Sequence, residues 1–455
     1  MTDEFVLNYA PKGNQMMKLS LKNVARISIA EIDIGGITVI AGPNGAGKST
    51  ISRAAMTLCS VNSRLPYLVQ AERVSSIFNV LRENFGKFGG DIFPFESFPN
   101  ERSKSWGVWL SPEWWEKLDG IREWFRDNAK GQNGLIVYPD SFLDSPKFSE
   151  ALREAMPKVR EILERDESAY VNHVCEKAFR RAFMGQMRPL HQDASASSLI
   201  SINDEKSEVS ISFNADGICG MTEMGRTIVP TTVYLEPLHF VDFVAGRHYN
   251  ISDRYTAGSL CVCNAISRPP PKSLSLEEDE ELKETRAILR DIVGVIHGRL
   301  VDDDDTVRFK ETIVDTDYMI DLKNMASGMK TMAAVVRAVE NRSVRRGSLL
   351  IIDEPESNLH PEWQVKFAIF LVLLQKRLGI SILLNTHSPY FLQAVNVYAK
   401  DAQIEHHFYN MVPDLEEVQV GIKTESAPKF YHSDPVGGNL ESVFRDMSRP
   451  FDNLM

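Results

Sequence analysis

Gly42-Pro43-Asn44-Gly45-Ala46-Gly47-Lys48-Ser49 has the form G-x-x-x-x-G-K-S. It stands between a short apolar run, Ile37 to Ile40, and a helical pattern from Ser49 to about Cys59. That setting decides the reading. Glycines let successive backbone N–H groups curl around phosphate oxygens, and the start of the helix adds a partial positive charge. Lys48 is expected at the β- and γ-phosphates of a nucleotide. Ser49 is expected to offer its hydroxyl to Mg²⁺, with Thr50 in the same first turn.

Working outward, Met17 to Leu21 and Ala30 to Ile34 alternate apolar and polar residues, which predicts two strands ahead of the loop. Far downstream, Leu349-Leu350-Ile351-Ile352 reads as a strand buried on both faces, as in a parallel sheet. Asp353 and Glu354 follow at its carboxyl end. Asp353 suits Mg²⁺ held through water, and Glu354 suits a base or orienter for an attacking water. One predicted helix later, Leu383-Leu384 opens into Asn385-Thr386-His387-Ser388-Pro389, where His387 is a candidate partner of the γ-phosphate or the water. Asn324-Met325-Ala326-Ser327-Gly328-Met329-Lys330 places a Ser-Gly turn, with Ser327 as expected N-cap, before a helix to about Asn341.

The remaining chain is plainer. Its 455 residues allow two to three domains, and 43% apolar with 25% charged residues is globular. A net charge of −11 excludes a basic footprint over the whole surface, though not a local basic stripe. No window holds the ~18 consecutive apolar residues of a membrane helix. The start, Met1-Thr2-Asp3-Glu4, has no signal-peptide character, and five scattered cysteines read as reduced thiols, so a cytoplasmic chain is expected. Five of the six tryptophans fall between Trp106 and Trp124, readable as the core of a helical subdomain or as an exposed docking surface. A hairpin is expected between Ser197 and Phe213, further strands at Thr232 to Leu235 and Phe240-Val241, and a linker at Arg268-Pro269-Pro270-Pro271. A helix is expected from about Leu276 to Ile296, then a solvated turn between helix and strand at Asp302 to Asp305. His406-His407 reads as part of an edge strand rather than a metal site.

The order of phosphate loop, long insertion, Ser-Gly helix, Asp-Glu-Pro strand and His strand resembles the ABC-type ATPases, a branch of AAA-type P-loop proteins that includes the SMC, RecF and OLD groups. Glu354-Pro355-Glu356-Ser357-Asn358-Leu359-His360-Pro361 is similar to that branch's Walker B and D-loop region. The resemblance covers about residues 17–60 and 320–395. It implies an α/β P-loop NTPase fold, an ABC/SMC-head-like mixed sheet with flanking helices and a helical insertion. It implies ATP and Mg²⁺ as ligands, with Gly42 to Ser49 as Walker A, Asp353 as Walker B, Glu354 as catalytic carboxylate and His387 as switch histidine. Ser327-Gly328 becomes the signature motif. Met329-Lys330 departs from the Gly-Gln of transporters, which makes Lys330 a candidate phosphate contact. Gln70, Gln186 and Gln192 remain open as Q-loop residues. The domains expected are an N-terminal lobe at 1–77, a Trp-rich insertion at 78–190, a return to the head at 191–268 and a C-terminal lobe at 269–455.

Within the branch, the chain is similar to the ATPase subunits of anti-phage systems, of Septu type above all, which work beside a separate HNH nuclease. Asp401 to Met455 shows no Asp-x-Asp at a strand end and no HNH spacing stands elsewhere, so no nuclease site is expected. The resemblance further implies a homodimer with ATP at the interface, higher assemblies of such pairs, and DNA met through the partner. The alternative is a RecF- or SMC-like DNA-binding ATPase in repair or remodelling.

Overall fold

The computed structural model describes residues 16–86, 110–115, 117, 121–123, 143–189, 197–214, 217–222, 228–236, 265–271, 275, 283, 286, 289–290, 292–294, 296–303, 306–312, 318–414, 430–436, 440–441 and 443–444. Its residues fall into two compact units: 1–63 with 178–455, and 64–177.

The first unit is mixed α/β. Strands β1 (Met17–Val24), β2 (Ile27–Ile34) and β3 (Ile37–Ala41) lead into helix α1 (Lys48–Gly86). A meander follows: β4 (Ser198–Asn203), β5 (Glu208–Asn214) and β6 (Gly217–Thr222), then β7 (Thr232–Leu235). Strands β8 (Gly298–Asp303), β9 (Thr306–Glu311) and β10 (Met319–Asp321) make a separate antiparallel sheet.

Two buried strands, β11 (Leu349–Asp353) and β12 (Ser381–Thr386), and two closing strands, β13 (His406–Pro413) and β14 (Tyr431–Val436), complete the large sheet. Its order is β6-β5-β4-β1-β2-β14-β13-β3-β12-β11-β7.

Register places the site. β13, β3, β12, β11 and β7 pair in parallel, and Ala41 stands opposite Thr386 while Asp353 stands opposite Asn385. Three chain segments therefore leave the sheet at one edge: the phosphate loop after Ala41, Glu354 after Asp353 and His387 after Thr386. The carboxyl edge of parallel strands is where such sheets bind ligands. Every residue of β3, β11 and β12 is buried, which is why their sequences run apolar rather than alternating. The helices that belong to this unit alone, from Ala178 on, pack a continuous apolar core against these strands, with Val335, Phe367, Leu371 and Phe391 fully buried.

In the second unit, the latter part of α1, α2 (Pro146–Glu164) and α3 (Glu167–Ala182, to Lys177) carry the core. Ser145 caps α2 by accepting from Phe148 N, and Pro146 pre-sets its first turn. The rings of Phe85 and Phe148 lie 5.4 Å apart, both fully buried, each side chain contributing roughly 1.5–3 kcal/mol. Arg73 stacks over Tyr170 at 4.9 Å and donates to the carbonyl of Arg165.

Several expectations need correction. α1 does not stop near Cys59; it runs on through Pro66 to Gly86, with no glycine between Lys48 and Gly86 to end it. Proline costs one intrahelical hydrogen bond, and the buried side chains on either side of it, Leu65 and Val69, hold the helix. The acidic run begins a hairpin between β8 and β9, since Asp302 pairs with Val307, rather than joining helix to strand. β13 is not an edge strand: β3 flanks it on one side and β14 on the other. Trp115 is buried, as a core reading requires, and so offers no docking surface. Trp106, Trp109, Trp124, Phe240-Val241 and most of 276–288 lie outside the described residues.

Candidate active site

The phosphate loop turns on positive φ values at Gly45 (+79°) and Gly47 (+93°), which a side chain rarely adopts. A Cβ on Gly47 would also press within 2.9 Å of Ile27. α1 opens at Lys48, with Thr50 N and Ile51 N donating back to the Gly47 carbonyl. Lys48 is buried, and its Nζ donates to the carbonyls of Gly42 (2.8 Å) and Pro43 (2.9 Å). Burial lowers its pKa, while Glu354, Asp353 and Glu356 pull the other way. A cleft of about 270 Å³ opens here, lined by Asn44, Gly45, Gly47, Lys48, Ser49 and Thr50. Arg26, Glu354 and Asn385 complete its lining.

Asp353 sits beneath this cleft, 3% exposed. Tyr234 Oη donates to its Oδ2 at 2.7 Å, and Asn385 Nδ2 to its Oδ1. Burial pushes its carboxyl above the ordinary range, against hydrogen bonds from Tyr234, Ser49, Ser52 and Asn385. Asn385 also reaches Ser52 Oγ at 2.7 Å, so β11, β12 and α1 are tied at one point. A hydroxyl beside a buried carboxylate fits a hard cation shared with phosphate oxygens, so Ser49 and Asp353 are a fitting pair of donors for Mg²⁺. Among the described residues no cluster of three or more His, Cys, Asp or Glu suits a metal held by protein alone.

Glu354 turns the chain with φ +49°, an uncommon value for a residue with a side chain, fixed by Glu354 N donating to the Asn385 carbonyl at 2.8 Å. Its carboxylate is about one-third exposed at the cleft, Oε2 accepting from Ser357 Oγ at 3.0 Å. His387 is half-exposed, with Nδ1 3.4 Å from Glu356 Oε1 and 3.8 Å from Glu354 Oε1.

Glu356 is the residue whose part the sequence hides. It is 4% exposed, and its Oε1 accepts from Thr386 Oγ1 (2.7 Å), His387 N (2.9 Å) and Ser388 N (3.1 Å). One carboxylate thus pins the backbone of the His-bearing segment to the loop after Asp353. Arg26 and Tyr234 were also hidden. Arg26 lies in a turn with no periodic signal, and Tyr234 looks like any core aromatic of a strand.

The Ser-Gly element stands apart. Helix α4 (Ser327–Glu340) takes Ala326 as its N-cap, so Ser327 is the first helical residue and not the cap. A Cβ on Gly328 would meet Leu359 Cδ2 at 2.6 Å and the Asn358 carbonyl at 2.7 Å, so the glycine lets α4 lie directly on the loop before helix α5 (Pro361–Leu378). Lys330 is buried at 4% exposure. Neither Gly328 nor Lys330 lines the cleft in the same chain. Gln70 and Gln186 are exposed, and Gln192 lies outside the described residues.

Two stretches match family models. Residues 18–61 match one described as "AAA domain", and residues 265–393 one described as "AAA domain, putative AbiEii toxin, Type IV TA system". The chain carries an AAA-type P-loop ATPase domain. Its two matched stretches contribute the adjacent strands β3, β12 and β11. No curated protein matches the chain. Among solved structures, the SMC head domain from Thermotoga maritima is similar at 11% identity and TM-score 0.37, covering 93% of this chain and 99% of that one. An SMC head bound to the C-terminal winged-helix domain of ScpA is similar at 11% and 0.41, covering 93% and 98%. An ATP-binding cassette of an ABC transporter, in its ADP conformation, is similar at 10% and 0.35, covering 96% of each chain. The assignment of the ATPase domain rests on the sheet order, the site and the two family matches. Among the described residues no helix is long and apolar enough to cross a membrane.

Proposed function

We propose that the ATPase domain hydrolyses ATP at the Lys48–Asp353–Glu354–His387 cleft and uses the nucleotide to gate pairing of two subunits. The observation that carries this reading is the register bringing Ala41, Asp353 and Thr386 to one sheet edge. The loop amides and Lys48 hold the β- and γ-phosphates, with Arg26 beside Gly45 in the same lining. When bound, Mg²⁺ neutralises charge on the phosphate oxygens; Ser49 and Asp353 are its protein partners. Glu354 accepts a proton from water as the new O–P bond forms and the bond from the γ-phosphorus to the bridging oxygen breaks. His387, set by Glu356, hydrogen-bonds the water or the transferred group. The products are ADP and phosphate.

Glu354→Gln keeps the shape and loses the base, so it is expected to bind ATP and retain it with turnover down at least about 100-fold. Hydrolysis at the parent rate removes Glu354 from this role. Lys48→Ala is expected to abolish binding, read by equilibrium dialysis of labelled ATP.

The finer reading is a nucleotide-gated scaffold that regulates a separate nuclease in anti-phage defence, of the Septu kind, with an HNH partner and DNA met through that partner. The motif order supports it, and so does the toxin–antitoxin description of the family matched by residues 265–393. Net charge −11 gives DNA little long-range attraction to the chain itself, which weighs against a RecF- or SMC-like repair ATPase. Co-purification with the product of the neighbouring gene tests the scaffold; salt-dependent DNA binding by the isolated chain supports its rival.

A further inference from the structure

Tyr234 holds a fully buried position on β7, where phenylalanine would fill the same space with no hydroxyl to desolvate. Its Oη instead donates to Asp353 Oδ2 at 2.7 Å. Register explains the reach. β7 runs parallel to β11 with Tyr234 opposite Ile351, so Tyr234, Ile351 and Asp353 share one face of the sheet.

The carboxylate is gripped from both neighbouring strands. Asn385 on β12, opposite Asp353, donates to Oδ1, while Tyr234 on β7 holds Oδ2. Ser49 and Ser52 approach it from α1. When Ser49 turns its hydroxyl to a cation, the two strand donors still hold both oxygens. β7 is itself tied to α1 just beyond Tyr234, because Glu236, 6% exposed, pairs with Arg53 at 3.6 Å. The strand that carries the phenol is thus fixed against the helix that carries Lys48 and Ser49.

We propose that Tyr234 is a positioning residue for the metal: by holding Oδ2 it keeps Asp353 aimed at the Mg²⁺ that enters with ATP, an inference that rests on the ATP site proposed above. It acts through Asp353. Hydrogen-bond partners of metal ligands orient them in this way, and their loss typically costs ~10–100-fold in metal affinity or activity. A core aromatic without this part would supply packing alone, which phenylalanine supplies equally.

The test measures the affinity of the full chain for a labelled, non-hydrolysable ATP analogue by equilibrium dialysis, once in EDTA and once in excess Mg²⁺. The parent should bind more tightly with Mg²⁺. Tyr234→Phe should cut that gain about tenfold while leaving the affinity in EDTA within about twofold. Both constants come from one preparation, so their ratio does not depend on the fraction folded. Asp353→Asn should remove most of the gain, and adding Tyr234→Phe to it should change the ratio no further. An unchanged ratio in Tyr234→Phe overturns the proposal. Equal weakening in EDTA and in Mg²⁺ does the same and makes Tyr234 a packing residue. Should Tyr234→Phe not fold, 3-fluorotyrosine in its place keeps the shape and alters the strength of the hydrogen bond; the ratio should then shift, and an unchanged one overturns the proposal. A parent chain that binds no analogue, or gains nothing from Mg²⁺, refutes the ATP site itself, whereas a parent that gains and a Tyr234→Phe chain that gains equally refute the role of Tyr234 alone.

Discussion

Burial raises the carboxyl of Asp353 even though Tyr234, Ser49, Ser52 and Asn385 all favour its ionised form. The folded state therefore binds that proton more tightly than the unfolded chain, and stability without nucleotide falls as pH rises through the raised pKa. Asp353→Asn removes the buried charge. Its thermal midpoint without nucleotide should equal or exceed the parent's at neutral pH, with the difference growing as pH rises through the raised pKa and level above it, while ATP turnover drops about 100-fold or more. A lower midpoint would mean that the carboxylate's hydrogen bonds outweigh its burial.

Glu356 makes a contrasting case, since its value lies in three donors it satisfies. Glu356→Ala leaves them without that acceptor, at roughly 1–3 kcal/mol for each that stays dry. Turnover should fall about tenfold or more with little change in KM, and Glu356→Gln, which keeps an oxygen there, should recover much of it.

At the scale of elements, Gly328 is a contact between α4 and the loop before α5. Gly328→Ala puts a methyl 2.7 Å from a backbone carbonyl and 2.6 Å from Leu359, so one element must move. A loss of about 1–3 kcal/mol in stability, measured by urea denaturation, is expected. The strands that carry the site were legible because both faces of each are buried, leaving continuous apolar runs such as Leu349 to Ile352. The phosphate loop was legible because its glycines and lysine are local requirements. What was illegible depends on partners remote in sequence. β13 reads as an edge until β14 is known to return beside both it and β2, some 400 residues from β2's own segment in the chain, with Tyr431 opposite Ile27. Glu356 reads as a loop acid until the amides of His387 and Ser388 arrive beside it. The N-cap of α4 missed by one residue, since Ser327 scores well as a cap by type and Ala326 takes the position by backbone geometry.

For the whole molecule, the central claim is an ATP site completed by a second copy of the chain. Gly328, packed on the Asn358–Leu359 loop, does not line the cleft of its own subunit. A head-to-tail, two-fold pair would bring the start of α4, the segment of Ser327, Gly328 and Lys330, to the partner's γ-phosphate. ADP lacks that phosphate, so ATP favours the pair by its differential affinity. The most direct test mixes two proteins expected to be inactive alone, Lys48→Ala and Ser327→Arg, under conditions where mixed dimers are demonstrated. A mixed pair holds one site with both lesions and one with neither. Recovery of ATP hydrolysis on mixing is the predicted result; no recovery despite mixed dimers would contradict shared sites and leave each subunit a self-contained ATPase.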